Sequence, residues 1–488
     1  MKNELLNKKY VLNPIYKIIL DERRLLILNV LDDSLMPRII HPIFGKFLSF
    51  FSGNDICDIT ISKICNQFNI SYEKAITLVE RFVENPKDIF VRYDGFIFRF
   101  PPLILIENVN GINRDDLNSD KILLTAPYDF ENIRLYKPLD ILFVINTKCM
   151  TDCVYCYADK RTQYTPMSTE KILDVIEQAK DLGVRKFELT GGEVFLHKDW
   201  KIIVKKLVDC GYGDLISTKI PLTKQQVDDF VEIGMKTLQV SLDSLNPKLQ
   251  LSNLNVDNLY CERMKESLRY IDSQNINIII KGTLTKYTLT IENIKEVTDF
   301  ISTLKHLKKY TISTIGASMY KTNDSFHDIK PSCDSIKYIY GYVNNMVKKI
   351  NIQQDSQETL RKELCNYSKF KERSLCTGNV SGLIILPDGK VTICEELYWD
   401  NNFIIGDLMK EKLLDVWNSE KALSLWNIAQ DMFPKESACS SCQDFIKCRR
   451  GLGVCWKYVI SVYGQHNYLY PDPRCPKAPS VINDVFYD

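Results

Sequence analysis

Between about residues 138 and 350, short apolar runs of strand length alternate with helical patterns. The first helical pattern begins at Ser168 and ends at Gly183, with apolar residues at helical spacing between them. Six such units in one stretch favour a parallel barrel or partial barrel, on which functional residues belong at the carboxyl ends of the strands. The candidate strands are Ile141–Asn146, Phe187–Thr190, Leu215–Thr218, Leu238–Leu242, Ile276–Lys281 and Tyr310–Ile315.

The charge balance of the 488-residue chain restricts its partners. Its 63 basic and 62 acidic residues give a net charge of +1, which argues against nucleic acid or an anionic membrane as the main partner. The first residues lack the apolar core of a signal peptide, and no run approaches the roughly 20 apolar residues of a membrane helix. We therefore expect a soluble, cytoplasmic protein.

Three of the 16 cysteines, Cys149, Cys153 and Cys156, follow the first candidate strand almost directly. Without an export signal, disulfides would be reduced, and clustered cysteines more often hold metal. Three thiolates can bind three irons of a [4Fe–4S] cluster and leave the remaining iron open to a non-protein ligand. The alternatives are a zinc site, for which the loop offers no fourth ligand nearby, or a chance grouping.

This loop, with Tyr155 before its third cysteine, and the Gly191-Gly192-Glu193 segment after the second strand resemble the radical S-adenosylmethionine superfamily. The resemblance implies that the segment binds the methionyl amino group of S-adenosylmethionine. Two glycines allow a close approach of backbone, and a carboxylate can hold an ammonium. The further cofactor-binding positions that it implies are Ser217, Ser241, Asp243 and Lys281. The alternative for each is an ordinary polar strand end, and Asp243 could instead cap a helix.

The superfamily resemblance also implies a reaction. S-Adenosylmethionine would chelate the open iron through its amino and carboxylate groups. One electron, from a donor such as flavodoxin or ferredoxin, would cleave the sulfonium to methionine and a 5′-deoxyadenosyl radical. That radical would remove an unactivated hydrogen from the substrate, while the protein orients the reactants and excludes water and oxygen.

The last part of the chain is rich in cysteine and resembles the seven-cysteine SPASM domain, which holds auxiliary iron–sulfur clusters. The resemblance implies a distal cluster on Cys439, Cys442, Cys448 and Cys475 and a nearer one on Cys376, Cys394 and Cys455. Cys455 departs from the family spacing, since six residues (Arg449–Val454) separate it from Cys448. The nearer cluster's fourth ligand could be Cys365, the substrate, a small ligand or none. Structural zinc is the alternative.

The first 105 residues read as short strands, three helices and a hairpin, the pattern of a small winged helix. Its third helix, 71–85, carries two basic and three acidic residues, a net charge of −1 that argues against DNA binding. The strings beginning at Tyr10 and Arg38 resemble the PqqD-like peptide recognition element. That resemblance implies capture of a precursor peptide's leader as an added strand. The alternative is a scaffold subdomain.

The sequence therefore predicts an α/β protein: a partial (β/α)6 TIM-like barrel with an N-terminal winged-helix domain and a C-terminal iron–sulfur domain. We expect the recognition domain at 1–105, a linker at 106–135, the barrel at 136–350 and the SPASM region at 351–488. The expected function is maturation of a ribosomally made precursor peptide by an intramolecular thioether or carbon–carbon cross-link. The alternatives are a sulfatase-maturase-like enzyme that oxidises Cys or Ser and a zinc-bearing winged-helix regulator.

Overall fold

The computed structural model describes residues 2–32, 36–114, 122, 127–213, 215–321, 323–346, 352–354 and 370–487. The chain divides into two compact units, Met1–Tyr136 and Lys137–Asp488. Within the described residues, no helix combines the length and the apolar character that crossing a membrane requires.

The first unit combines small antiparallel sheets with helices. The sheets have the strand orders β5-β1-β8, β2-β3-β4 and β6-β7. The strands are β1 (Lys9–Leu12), β2 (Tyr16–Asp21), β3 (Arg24–Asn29), β4 (Arg38–Ile40), β5 (Ser52–Ile56), β6 (Ile89–Tyr93), β7 (Phe96–Phe100) and β8 (Leu105–Glu107). The helices are α1 (Lys2–Asn7), α2 (Pro42–Ser49), α3 (Cys57–Phe68) and α4 (Tyr72–Phe82).

Local sequence signals explain several of these elements. Ser71 caps α4 by accepting a hydrogen bond from the backbone N–H of Lys74, as its position before the helical pattern predicts. The core includes Phe47, Phe82 and Phe100, whose rings meet edge to face. The predicted strands, the three predicted helices (α2 to α4) and the hairpin β6-β7 are present in the structure.

Part of the segment expected as a linker belongs to the first unit. It begins inside β8, and the unit extends to Tyr136. The reason is Arg24, which is fully buried, pairs with Asp21 at 3.0 Å and donates to the backbone carbonyl of Arg134 at 2.6 Å. A buried guanidinium needs several acceptors, and the carbonyls of this segment supply them.

The second unit contains the predicted parallel strands. Strands β11 to β15 form one parallel sheet in sequence order, while the other sheet has the order β10-β9-β16-β17-β18. The strands are β9 (Asp140–Val144), β10 (Lys186–Thr190), β11 (Ile216–Thr218), β12 (Thr237–Ser241), β13 (Asn277–Leu284), β14 (Leu307–Thr314), β15 (Ile352–Gln354), β16 (Gly382–Ile385), β17 (Lys390–Thr392) and β18 (Ile404–Asp407).

Helices follow the strands as a partial barrel requires. The first begins after Ser168, which accepts from the N–H of Lys171, and ends at Gly183, whose φ of 76° favours glycine. The helices are α5 (Thr169–Leu182), α6 (Trp200–Asp209), α7 (Lys224–Ile233), α8 (Pro247–Leu254), α9 (Tyr260–Ser273), α10 (Ile291–Ile301), α11 (Asn323–Ile329), α12 (Cys333–Met346), α13 (Leu413–Trp417), α14 (Glu420–Trp426) and α15 (Trp456–Tyr463).

The cysteine-rich region is joined to the barrel by a strand. β16 pairs in parallel with β9, the strand that precedes the cysteine loop, and β17 and β18 continue this sheet in antiparallel fashion. Because β9 lies between β10 and β16, backbone hydrogen bonds on both sides fix the start of the loop that carries Cys149.

Candidate active site

The three loop cysteines open into one cavity of about 510 Å³ at the carboxyl ends of the parallel strands. Thr151 holds the loop together, because its hydroxyl oxygen lies 3.2 Å from the Cys149 Sγ and 3.4 Å from the Cys153 Sγ. Cys153 is buried, while Cys149 and Cys156 are partly exposed. The cavity therefore exposes sulfur ligands beside enough space for an organic molecule.

Most of the sequence-predicted site residues reach this cavity. Besides the three cysteines, its lining includes Gly191, Gly192, Glu193, Ser217, Ser241 and Lys281. Asp243 does not line it and is completely buried.

The two glycines are required by the cysteine loop. A Cβ atom on Gly192 would lie 2.0 Å from the carbonyl oxygen of Lys148, and one on Gly191 would lie 2.4 Å from that of Asn146. The backbone N–H of Gly192 donates to the Asn146 oxygen at 2.8 Å. These glycines therefore approach the residues that precede Cys149 closely, and they also line the cavity.

The Glu193 carboxylate holds two strand ends together. It accepts hydrogen bonds from the Thr218 hydroxyl at 2.9 Å and from the Lys219 N–H at 3.1 Å. No ladder joins β10 to β11 within the described residues, so this carboxylate makes the connection there. Only 2% of Glu193 is exposed, and burial raises its pKa to about 7 despite these hydrogen bonds.

Asp243 lies outside the cavity lining and acts on the site through two residues, Tyr155 and Lys219. The sequence alone did not indicate this charge interaction. Its carboxylate accepts a short hydrogen bond from the Tyr155 hydroxyl and pairs with the Lys219 ammonium at 2.9 Å. Its other oxygen accepts from the Thr283 N–H at 2.9 Å, which argues against the helix-cap alternative. Burial lowers the pKa of Lys219, but Asp243 and Cys153 outweigh burial and raise it above its usual value.

Sequence reasoning missed Lys219, although its position directly after the third strand was a usable signal. The Lys219 side chain is 17% exposed and lines the cavity beside the cysteine loop. Lys160 also lines it and donates to the carbonyl of Thr151 at 3.1 Å. Two cations next to three thiols fit an anionic iron–sulfur group.

A second group of missed residues comes from the cysteine-rich region. Glu396 and Lys457 form an ion pair at 2.5 Å, and Glu395 accepts from the Tyr157 hydroxyl at 3.1 Å. Burial, followed by the charge of Glu396, raises the pKa of Glu395. All four side chains line the cavity. The signal was proximity in sequence, since the glutamates directly follow Cys394.

The four distal cysteines, Cys439, Cys442, Cys448 and Cys475, line a separate cavity of about 30 Å³. Cationic side chains donate to three of their sulfurs. Arg373 lies 3.1 Å from the Cys448 Sγ, Arg449 lies 3.3 Å from the Cys439 Sγ, and Lys477 lies 3.5 Å from the Cys442 Sγ. The structure thus gathers four thiols that are separated by up to 36 positions in the sequence.

The three nearer cysteines, Cys376, Cys394 and Cys455, also lie close enough to influence one another. Burial, then Asp472 and Cys376, raises the pKa of Cys455 to about 12. Burial, then the charge of Cys455, raises the pKa of Cys394. Cys365, which was considered as a fourth ligand, lies outside the described residues.

In the described part of the chain, no three His, Cys, Asp or Glu side chains converge closely enough to hold one metal ion.

Comparisons with known proteins agree with this geometry. Residues 143–328 match the family model of the radical SAM superfamily, and residues 376–443 match that of SPASM, an iron–sulfur cluster-binding domain. This enzyme contains a radical SAM domain and a SPASM domain. S-Adenosylmethionine and iron–sulfur clusters are the cofactors expected of these two domains.

Curated relatives match only part of the enzyme. A probable GTP 3′,8-cyclase of Methanococcus vannielii is 31% identical over 107 residues, which are 21% of this chain and 36% of that protein. One of Methanothermobacter thermautotrophicus is 31% identical over 143 residues, 28% of this chain and 46% of that protein. The match thus spans less than half the length of either relative.

A solved structure matches almost the whole chain. SuiB of Streptococcus suis, bound to S-adenosylmethionine, aligns with a TM-score of 0.62 and 17% identity over 95% of this chain and 99% of that chain. At this identity the match shows a shared fold, and it confirms the predicted fold class.

Proposed function

We propose that this radical SAM enzyme matures a ribosomally made precursor peptide by forming an intramolecular thioether or carbon–carbon bond. The observation that carries the proposal is the extent of the fold match, 95% of this chain and 99% of SuiB. SuiB has also been crystallised with its precursor peptide SuiA, and that complex aligns over the same 95% with a TM-score of 0.60. A shared fold over almost the whole of both chains supports a shared class of substrate.

In this proposal Cys149, Cys153 and Cys156 bind the [4Fe–4S] cluster to which S-adenosylmethionine coordinates. When bound, the two cofactors supply the radical chemistry that removes hydrogen from the peptide. The residues proposed to bind S-adenosylmethionine are Gly191, Gly192, Glu193, Ser217, Ser241 and Lys281. Asp243 contributes indirectly, by holding Lys219 and Tyr155 beside the cysteine loop.

The SPASM region is proposed to hold two auxiliary clusters, the nearer one on Cys376, Cys394 and Cys455 and the distal one on the distal cysteines. The four thiols of the small distal cavity support a cluster in which every iron has a protein ligand. Glu395, Glu396 and Lys457, which lie close in sequence to Cys394 and Cys455, place charge in the lining of the barrel cavity. An external electron donor such as flavodoxin or ferredoxin supplies the electrons.

The first unit is proposed to recognise the leader of the precursor. The proposed domain limits are 1–105 for this recognition domain, 106–135 for a linker, 136–350 for the barrel and 351–488 for the SPASM region. Support comes from the antiparallel sheet β2-β3-β4, whose outer strands offer backbone groups to which an extended peptide can add. Added-strand binding gains affinity from backbone hydrogen bonds and specificity from alternate side chains.

The test is co-expression with a short peptide encoded next to the gene, followed by mass spectrometry of that peptide. We expect the loss of two hydrogens per cross-link, which depends on Cys153. In parallel, the anaerobically reconstituted protein should contain about twelve irons for three [4Fe–4S] clusters and release 5′-deoxyadenosine when reduced with S-adenosylmethionine. Absence of 5′-deoxyadenosine would contradict the enzyme assignment, and cleavage with an unchanged peptide would contradict the proposed substrate.

A further inference from the structure

The distal cysteines are surrounded by positive charge in a small cavity. Arg373 and Arg449 each donate to a distal sulfur, at 3.1 and 3.3 Å. Both arginines are also anchored to the backbone, Arg373 to the carbonyl of Gly453 at 2.6 Å and Arg449 to that of Tyr470 at 3.0 Å. The backbone therefore holds both cations against the distal sulfurs.

Arg449 has unused hydrogen-bonding capacity at this position. Its Nε and Nη1 atoms are buried without a hydrogen-bond partner among the described residues. Its guanidinium lies over the rings of Phe433, at 4.8 Å, and Trp456, at 5.3 Å. Aromatic faces stabilise a cation but accept no ordinary hydrogen bond from its edges. Because these two donor atoms are buried and unpaired, an anion beside them would stabilise the guanidinium.

A cluster bound by four thiolates is such an anion, and it gains a further negative charge when it is reduced. Positive charge and hydrogen bonds at its sulfurs stabilise the reduced state more than the oxidised state, so they raise the reduction potential. Because the cavity is small and the two arginines contact its sulfurs directly, a fixed cation acts on the cluster at short range.

Arg449 also lies between the two groups of cysteines. It lines the cavity of the distal cysteines and a second cavity, of about 40 Å³, that is lined by Cys376. Its charge therefore acts on an electron at either auxiliary site, and its direct contact with Cys439 makes the distal site the more strongly affected one.

We propose that Arg449, assisted by Arg373, sets the reduction potential of the distal cluster and keeps it reducible within the enzyme. The inference rests on the proposed cluster at the distal cysteines. In this inference Arg449 positions the distal cluster and determines its reduction potential, and it does not touch the substrate.

The experiment is a potentiometric titration followed by electron paramagnetic resonance. It uses the full-length reconstituted protein in which Cys149, Cys153 and Cys156 are replaced by alanine, so that only auxiliary clusters titrate. The distal signal is the component that a further Cys442→Ala change removes. In this background Arg449→Gln is compared with Arg450→Gln, which removes the same charge from an exposed neighbour.

Arg449→Gln should lower the distal midpoint potential by an amount equivalent to about a tenfold or greater change in the reduction equilibrium, roughly 59 mV for one electron. Arg449→Lys should restore part of this shift, and Arg450→Gln should change it much less. Equal shifts in Arg449→Gln and Arg450→Gln, or none in either, would overturn the inference.

Two further outcomes are distinguishable. If Arg449→Gln loses the distal signal, the midpoint potential of the distal cluster is measured in Arg373→Gln instead. An unchanged potential in that variant would overturn the inference. If the background protein binds no iron that depends on Cys442, the proposed distal cluster itself fails, whatever the arginine variants do.

Discussion

Two cysteine-lined cavities of this enzyme differ in size and in the origin of their ligands. The barrel cavity, of about 510 Å³, displays three cysteines from one eight-residue loop among polar strand ends. The distal cavity, of about 30 Å³, gathers four cysteines from separate segments and is surrounded by cations. An open site with an incomplete protein ligand set suits chemistry on a bound molecule, and a closed site with four ligands suits structure or electron transfer.

The largest expected difference is between single cysteine variants of the two cavities. Cys153→Ala should abolish cleavage of S-adenosylmethionine, because the loop then supplies only two sulfurs. Cys442→Ala should retain measurable cleavage and lose product or stability. The measurement is 5′-deoxyadenosine released per chain after anaerobic reconstitution and reduction. Complete loss of cleavage in both variants would refute separate roles for the two cavities.

The next largest effect concerns the backbone that supports the open cavity. Gly192→Ala should displace the loop before Cys149, since the added Cβ atom would meet the Lys148 carbonyl oxygen at 2.0 Å. A misplacement of about 1 Å at an active site can lower the rate about a hundredfold. Gly341→Ala is the control, because a Cβ atom there meets nothing within 4 Å. Cleavage rates of the two variants decide the point, and equal rates would contradict it.

A third prediction concerns the charge pair below the cavity. Asp243→Asn should reduce the free energy of unfolding by about 3–5 kcal/mol, because Lys219 loses its buried partner. In the matched control Asp257→Asn, the exposed pair with Arg263 is broken, and the free energy of unfolding should change much less, because solvent screens an exposed pair. Chemical unfolding of both variants measures the difference. Similar losses would show that Asp243 and Lys219 are not coupled as described.

The smallest predicted effect is a pH dependence at Glu193. Its pKa of about 7 in the folded state exceeds the ordinary 4.5, so the folded protein binds this proton more tightly than the unfolded chain does. The contribution of Glu193 to the free energy of unfolding is therefore fully present below about pH 4.5. It is lost as the pH rises to about 7, and the total loss is about 3 kcal/mol.

Replacement of Glu193 by glutamine removes that titration. Relative to the wild type, Glu193→Gln should become progressively more stable between pH 5 and 8, as thermal unfolding midpoints of the two proteins would show. A difference in midpoint that stays constant over this range would contradict the buried, proton-binding state of Glu193.

Sequence patterns predicted what depends on local chemistry. The apolar runs located β9 to β14 within a few residues, and Ser168 and Gly183 marked the ends of α5 because capping is a local interaction. The cysteine loop and the Gly191-Gly192-Glu193 segment were found for the same reason. The barrel prediction is confirmed because alternating strands and helices permit few other arrangements.

Contacts between distant segments were not predictable from one sequence. The pairing of β16 with β9 joins residues about 240 positions apart, and nothing local in Gly382–Ile385 specifies its partner. The Asp243–Lys219 pair and the position of Arg449 between two cavities likewise depend on tertiary packing. The available signals were polar residues next to cysteines and at strand ends. They identify candidate site residues but do not show which distant residues these contact.

The most direct test of the open three-cysteine site is the electron paramagnetic resonance of the reduced enzyme before and after addition of S-adenosylmethionine labelled with a heavy nitrogen isotope in its amino group. We expect the signal of one cluster to change and to acquire coupling to that nitrogen, and we expect Cys442→Ala to retain this response. An unchanged signal, with no coupling to the label, would contradict a coordination position left free by Cys149, Cys153 and Cys156.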